Sequence, residues 1–241
     1  MNEISVCFSP ILHQYYADSE SIVVLVDIFR ATTSMCVAFE NGIKSIRTTA
    51  DIEEAKEYKN NGFLVAAERN TQKCEFADFG NSPFDFTPEK IAGKELIFTT
   101  TNGTKAVDTA KDVCELIIGA FSNISAVTNH CIEKNKNIVI LCSGWNDRFC
   151  LEDTLYAGAL TEKLINTGKF TYKSDSTQAA LDLWRIAQNK LIEYICTTEH
   201  YARLKKNGLE SAVEYCLTQD TVSVVPVLDK ETGSFIIEKI H

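Results

Sequence analysis

Five apolar residues in a row, Ile22–Val26, run straight into Asp27 and Arg30 in the stretch SIVVLVDIFRATTS. An unbroken apolar run of strand length has to be buried on both faces, as in a parallel sheet covered on both sides. The pattern recurs at Ile4–Phe8, Ser45–Thr48, Phe63–Glu68, Glu95–Thr99, Glu115–Ile118, Asn137–Cys142 and Thr221–Leu228. Helical patterns lie between these runs. They cover Ala31–Glu40, Asp51–Lys59 with Asp51 and Glu54 spaced as a capping box, Gly103–Lys111, Asn123–Lys134 and Glu152–Asn166. Strand–helix alternation of this kind predicts an α/β fold, a three-layer αβα sandwich around a largely parallel or mixed sheet. Ser176 to Leu217 reads as two or three helices, broken near Ile195–Thr198 and at Gly208. The strand patterns TVSVVPVL and SFIIEKI follow, and Pro226 argues for an edge position. The polar connector EKNKN divides the chain into lobes 1–130 and 131–241 with the site between them, or else decorates a single domain.

The 241 residues are enough for one large domain or two small ones. No run reaches the roughly 20 apolar residues of a membrane span. The N-terminus, with Glu3 and no basic start, does not resemble a signal peptide. The nine cysteines, an odd number without a CxxC pair, predict free buried thiols in a reducing cytoplasm rather than disulfides or a metal centre. A net charge of -9 without a basic stripe argues against nucleic acid. An anionic ligand then requires local compensation by backbone amides, arginines or a bound cation.

Polar residues end several apolar runs: Asp27, then Glu68 and Arg69, then Thr99–Asn102, then Ser143 and Gly144. In open parallel sheets the carboxyl ends of the strands are where ligands bind. Each signal also has a plainer reading, since Asp27 could simply cap the next helix. In FTTTNGTKA, the Asn102-Gly103 turn opens directly onto a helix, a ready anion site or an ordinary β-to-α turn. In FGNSPFDF, Asn81 and Ser82 sit in a rigid loop that can present polar groups or merely turn. In CSGWNDRFCLEDTLYAG, Glu152 and Asp153 begin a helix, where acids suit the dipole whatever else they do. Dinucleotide, P-loop, zinc-protease and serine-hydrolase fingerprints are absent, and Phe29 fills the place of the second acid in a DxDxT phosphatase loop. His13, His130, His200 and His241 are scattered, which disfavours a histidine-based site and leaves His200 as the one to watch.

Taken in order, Asp27–Thr32, Gly80–Pro83, Thr101–Thr104 and Glu152–Gly158 resemble the Asp-x-x-Arg-Ala-Thr, Gly-Asn-Ser-Pro, Thr-Asn-Gly-Thr and Glu-Asp-x-x-x-Ala-Gly motifs of the 2-phosphosulfolactate phosphatase family. Ser122-Asn123 matches a further strand-end step, and Glu68-Arg69 matches a Gly-Glu-Arg motif in which Ala67 replaces the glycine. The resemblance implies a Mg²⁺-dependent phosphatase converting 2-phospho-3-sulfolactate to 3-sulfolactate and phosphate, a coenzyme M biosynthesis step. It implies catalytic roles for Asp27, Arg30, Glu68 and Glu152, and Mg²⁺ ligands among Asp27, Glu68, Glu152 and Asp153. Substrate contacts would come from Arg69, Asn81, Ser82, Thr101, Asn102, Gly103, Thr104, Asn123 and Ser143. The expected partner is a small anionic phosphorylated acid, with neither nucleic acid nor membrane, and a homodimer is the default assembly. The competing readings are a phosphatase or phosphotransferase for another small 2-phospho acid, and a non-catalytic anion-binding relative.

Overall fold

The structure is a computed structural model that describes residues 1–16, 18–69 and 71–238. The strands are β1 (Asn2–Cys7), β2 (Ile22–Val26), β3 (Ser45–Thr48), β4 (Leu64–Arg69), β5 (Gln72–Lys73), β6 (Glu95–Thr99), β7 (Glu115–Gly119), β8 (Ile138–Cys142), β9 (Phe170–Tyr172), β10 (Pro226–Asp229) and β11 (Ser234–Ile237). The helices between β2 and β8 are α1 (Ala31–Glu40), α2 (Ile52–Asn60), α3 (Pro88–Ile91), α4 (Gly103–Ala110) and α5 (Ile124–Lys134). The remainder are α6 (Leu151–Ile165), α7 (Asp175–Ala187), α8 (Leu191–Ile195), α9 (Glu199–Lys206) and α10 (Glu210–Leu217).

All the strands join one sheet in the order β5-β4-β6-β3-β11-β10-β7-β2-β8-β1-β9. Two parallel groups, β4-β6-β3 and β7-β2-β8-β1-β9, are bridged by the antiparallel hairpin β10-β11. That hairpin holds on through one residue pair on each side, Val227 to Ile117 and Phe235 to Ile46. The α/β class is as expected, and β2 and β8 are buried at every position, so both sheet faces are covered. Burying the five residues of β2 contributes on the order of 10 kcal/mol before chain entropy is charged. Residue 130 falls inside α5, and strands from both sides of it interleave in the sheet.

Pro226 is not at an edge, because β10 lies between β11 and β7. It is tolerated as the first residue of its strand, where little of the ladder needs its missing N–H. Residues 221–225, expected as strand, are not in the sheet. The Asp220 and Val222 amides donate to the Phe121 and Ser122 carbonyls, at 3.1 and 3.0 Å, and tie this segment to the β7–α5 connection instead. The SFIIEKI pattern yields β11, while its last two residues lie outside the described ones. The expected capping box is half formed. The Asp51 carboxylate accepts from the Glu53 amide at 2.8 Å, but Glu54 turns to the Thr49 hydroxyl, and that hydroxyl accepts the Asp51 amide at 3.1 Å. Ser176–Leu217 contributes to four helices rather than two or three, with breaks where expected at 196–198 and around Gly208.

On a flat sheet, β4 and β2, six strands apart in the order, would stand about 29 Å apart at about 4.8 Å per strand step. Yet Arg30, just past β2, bonds Glu68 on β4 at 3.4 Å. The sheet therefore curls, and the loops after its strands lean inward over α1. That helix is buried from Ala31 to Phe39, on all sides rather than along one stripe, as an enclosed helix has to be.

α6 and α7 pack unusually close at Gly158. A Cβ there would lie 2.1 Å from the Ala180 carbonyl oxygen and 2.7 Å from Trp184 Cβ. Both obstacles are close to rigid backbone, so the helices have to part. Gly158→Ala is expected to cost about 3 kcal/mol or more in urea unfolding, at the upper end for overpacked cores.

Candidate active site

The turn after β2 is fastened by its own threonines. The Thr32 hydroxyl donates to the Asp27 carbonyl at 2.9 Å and stands 3.1 Å from the Asp27 amide as its acceptor. The Thr33 hydroxyl holds the Ile28 carbonyl at 3.2 Å, and the Ser34 hydroxyl holds the Asn81 carbonyl at 3.1 Å. Backbone groups and hydroxyls thus do the work a capping carboxylate would do. Arg30, not Asp27, occupies the N-cap of α1, and among the described residues no side-chain donor bonds the Asp27 carboxylate.

Asp27 lines a closed cavity with Glu68, Asn81, Thr100, Thr101, Asn102, Gly144, Glu152, Asp153 and His200. Phe29, Thr71, Trp145 and Cys150 complete the wall. The space inside it has room for about one water molecule. One side is sealed from α9: the Arg203 guanidinium stacks 4.2 Å over Trp145, and the Trp145 and His200 ring centres are 5.5 Å apart. The Asn207 amide reaches across to the Thr71 hydroxyl at 2.8 Å.

The carboxylates differ in their bonding. Both oxygens of Asp153 are engaged: Oδ1 accepts from the Ile28 amide at 2.9 Å, and Oδ2 from the Gly144 amide at 3.1 Å and the Ser143 hydroxyl at 3.3 Å. Asp153 thus ties the β2 turn to the β8 turn. Burial and the charges of Glu152 and Asp27 push its carboxyl up, while the donors from Ile28 and Gly144 pull it back. Glu68 accepts from Arg30 Nη2 at 3.4 Å and from the Thr71 amide at 3.0 Å. Glu152 Oε1 lies 2.5 Å from His200 Nδ1 and 2.6 Å from Cys150 Sγ. Burial pushes Glu152 up, but its bonds to His200 and Cys150 and the histidine charge outweigh that and hold it below the usual carboxylate range. Asp27 has no comparable relief. Burial raises it to about 6, opposed by His200 and reinforced by Glu68 and Glu152.

Of the residues singled out in the sequence, Asp27, Glu68, Asn81, Thr101, Asn102, Glu152 and Asp153 line this cavity together, with Arg30 paired to Glu68 and Ser143 bonded to Asp153. Others do different work. The Arg69 guanidinium is turned onto the Glu68 and Ala50 carbonyls, at 2.8 and 3.3 Å, and the Thr99 hydroxyl at 2.9 Å, so it binds strand ends. The Thr104 hydroxyl bonds the Thr100 carbonyl at 2.8 Å. Ser82 is half-buried ahead of the Pro83 turn and does not line the cavity. Asn123 is consumed by the scaffold: its amide group accepts from Ala120 N at 2.9 Å and donates to the Ile118 and Val224 carbonyls at 3.1 and 2.9 Å. A family-type Ser-Asn step therefore serves here to pin residues 220–225, not to hold substrate. Ala67 replaces a glycine without consequence for the cavity, because its methyl group packs with Ala55, Val65, Ala77 and Ile97.

Gly103 acts by what it lacks. A Cβ there would lie 2.9 Å from Asp27 Oδ2, 3.0 Å from Ala31 Cβ and 3.2 Å from Thr100 Oγ1. Gly103→Ala is expected to displace the Asp27 carboxylate, cutting turnover about 10- to 100-fold while the unfolding midpoint moves little. Steady-state assay beside a denaturant titration checks both.

His200 and Cys150 were not assigned to the site from sequence. Neither lies at a strand end, and His200 arrives from 48 residues beyond its partner Glu152. All nine cysteines are free; six are buried as expected, but Cys74 and Cys114 are half-buried and Cys196 is exposed, so three depart from the burial expected.

A curled α/β sheet whose strand ends deliver acids and a helix start to one cavity, with Arg30 paired to an acid in its wall, suits a hydrolase acting on phosphate esters. Residues 7–231 match the family described as 2-phosphosulpholactate phosphatase. The chain is 38% identical over 213 residues to a probable 2-phosphosulfolactate phosphatase of Caldanaerobacter subterraneus subsp. tengcongensis, covering 87% of this chain and 88% of that one. It is 36% identical over 216 residues to one so named from Thermotoga maritima, covering 90% and 92%. The chain belongs to the 2-phosphosulfolactate phosphatase family, and so to the phosphoric monoester hydrolases.

Proposed function

We propose that this protein is a Mg²⁺-dependent phosphatase that hydrolyses 2-phospho-3-sulfolactate to 3-sulfolactate and phosphate, the reaction named for its relatives and a step toward coenzyme M. One observation carries the reading beyond the family name. Arg30 Nε, the Asn81 side-chain oxygen, and the Thr100 and Thr101 hydroxyls are buried without hydrogen-bond partners among the described residues, beside a carboxylate cluster. Such groups cost about 1–3 kcal/mol each when left unpaired. The oxygens of a bound anion would accept from Arg30 and the threonines, and a reoriented Asn81 amide would donate as well.

The residues also fit the cation. Mg²⁺ takes one or two carboxylates and fills its other positions with water and phosphate oxygens. Asp27 and Glu152 suit it best, since Glu68 and Asp153 already have both oxygens bonded. Bound Mg²⁺ would neutralise charge on the phosphoryl oxygens as the ester bond breaks. Arg30 would grip the same oxygens while staying anchored to Glu68. Asp27 has two available roles: holding the cation, or attacking phosphorus to form an aspartyl phosphate while the P–O bond to C2 breaks. In the second role water then attacks phosphorus and releases Asp27, so two displacements would leave a chiral phosphoryl group with retained configuration, where a single attack by water would invert it. Nine free thiols suit a reducing cytoplasm, and among the described residues no helix is long and apolar enough to cross a membrane.

The test is a phosphate-release screen over small phosphoesters with Mg²⁺ or EDTA. The expected result is preference for 2-phospho-3-sulfolactate and loss of release in EDTA. Preference for another 2-phospho acid would overturn the substrate, activity indifferent to EDTA would overturn the cation, and no release from any ester would overturn the enzyme.

A further inference from the structure

Three side chains in the cavity wall form a cluster of a different character. Cys150 Sγ, Glu152 Oε1 and His200 Nδ1 all lie within 4.8 Å of one another. The sulfur and the nitrogen are 3.9 Å apart, and Oε1 sits between them at 2.6 and 2.5 Å. The three residues are 6%, 1% and 8% exposed. Mg²⁺ prefers oxygen donors, whereas a thiolate and an imidazole beside one carboxylate oxygen are the ligands of a borderline-soft cation.

We propose that Cys150, Glu152 and His200 form a binding site for a divalent cation of the Zn²⁺ or Co²⁺ type. The arrangement is close to what such a cation needs. Tetrahedral ligands at about 2.0–2.3 Å from a metal stand roughly 3.3–3.6 Å from one another. The sulfur and nitrogen are near that spacing already, so mainly the Glu152 carboxylate has to withdraw, by about 1 Å. The backbone already sets the ligands: Cys150 is the N-cap of α6, Glu152 follows two residues on, and His200 is in the first turn of α9. Binding exchanges protons for metal. The thiol proton passes to solvent, as does any proton held between Glu152 and His200, leaving thiolate, carboxylate and neutral imidazole as three ligands. The fourth position is left for water or a ligand oxygen, as in zinc sites that do chemistry. Because Glu152 also faces the Mg²⁺ position proposed above, the two cations share that residue. The soft site itself rests on the three side chains and not on the phosphatase reading.

The test uses the full chain and Co²⁺ alone, followed by absorption. The expected result is a thiolate-to-cobalt charge-transfer band saturating near one Co²⁺ per chain and bleached by Zn²⁺. Cys150→Ser is expected to lose the band. Cys196→Ser, which removes the exposed thiol, is expected to keep it. His200→Gln is expected to weaken Co²⁺ at least 10-fold. Absence of the band in the wild-type chain, its survival in Cys150→Ser, or unchanged affinity in His200→Gln would overturn the proposal. No substrate is present, so this outcome is separate from that of the phosphatase screen.

Discussion

Asp27→Asn is expected to give a folded protein whose phosphatase turnover falls by at least about 10³-fold, in the range seen when a reacting or proton-handling group is lost. The same change is expected to stabilise the metal-free protein at neutral pH. Burial, against His200 and with Glu68 and Glu152, raises the Asp27 carboxyl to about 6 from an ordinary 3.8. The folded state therefore holds this proton more tightly than the unfolded chain does. Its contribution to stability is complete below about pH 4 and is lost as pH rises through about 6, a total of about 3 kcal/mol. Asn cannot ionise and escapes that loss. Urea titrations of metal-free protein between pH 4 and pH 7 should show a downward slope in the wild type that is smaller in Asp27→Asn. A variant with normal turnover would remove Asp27 from the chemistry, and equal slopes would show that its charge is compensated elsewhere.

Arg30→Ala is expected to do more damage of a different kind. Arg30 is 3% exposed and bonds Glu68, itself 8% exposed, at 3.4 Å. Removing the cation leaves Glu68 buried beside Asp27 and Glu152 with its charge uncompensated, which costs about 3–5 kcal/mol in comparable buried pairs. Turnover is expected to be lost as well, since the guanidinium is the group proposed above to grip the phosphoryl oxygens. The two effects separate in Arg30→Ala/Glu68→Gln. Stability should largely return in the double variant, because the orphaned charge is gone, while activity should not. Recovery of neither would mean that Arg30 holds the fold through contacts other than Glu68.

Much of the scaffold was legible because its signals are local. The apolar run Ile22–Val26 became β2 residue for residue, and Ala31–Glu40 became α1 with the same bounds. Burial of every β2 position follows directly from a strand with no polar face. The misreadings came where long-range partners overrule local pattern. Residues 221–225 look like strand, yet the backbone of Val222 and Val224 is claimed by Ser122 and Asn123. Pro226 looks like an edge residue, yet a hairpin from the chain's far end is what joins the two halves of the sheet.

The site divides in the same way. The sequence by itself determined which residues stand where strands end, so Asp27, Glu68 and Asn102 could be named from that, and Glu152 from the helix start that follows β8. Only the tertiary structure decided which of them face one another. Sheet curvature, set by the β10–β11 hairpin and the enclosed α1, brings β2 and β4 ends within hydrogen-bond reach. Tertiary packing also turns Arg69 and Asn123 to scaffold work and carries His200 to Glu152. Strand ends are encoded by short-range polarity, but their convergence depends on pairing between segments more than a hundred residues apart, and no local pattern records that.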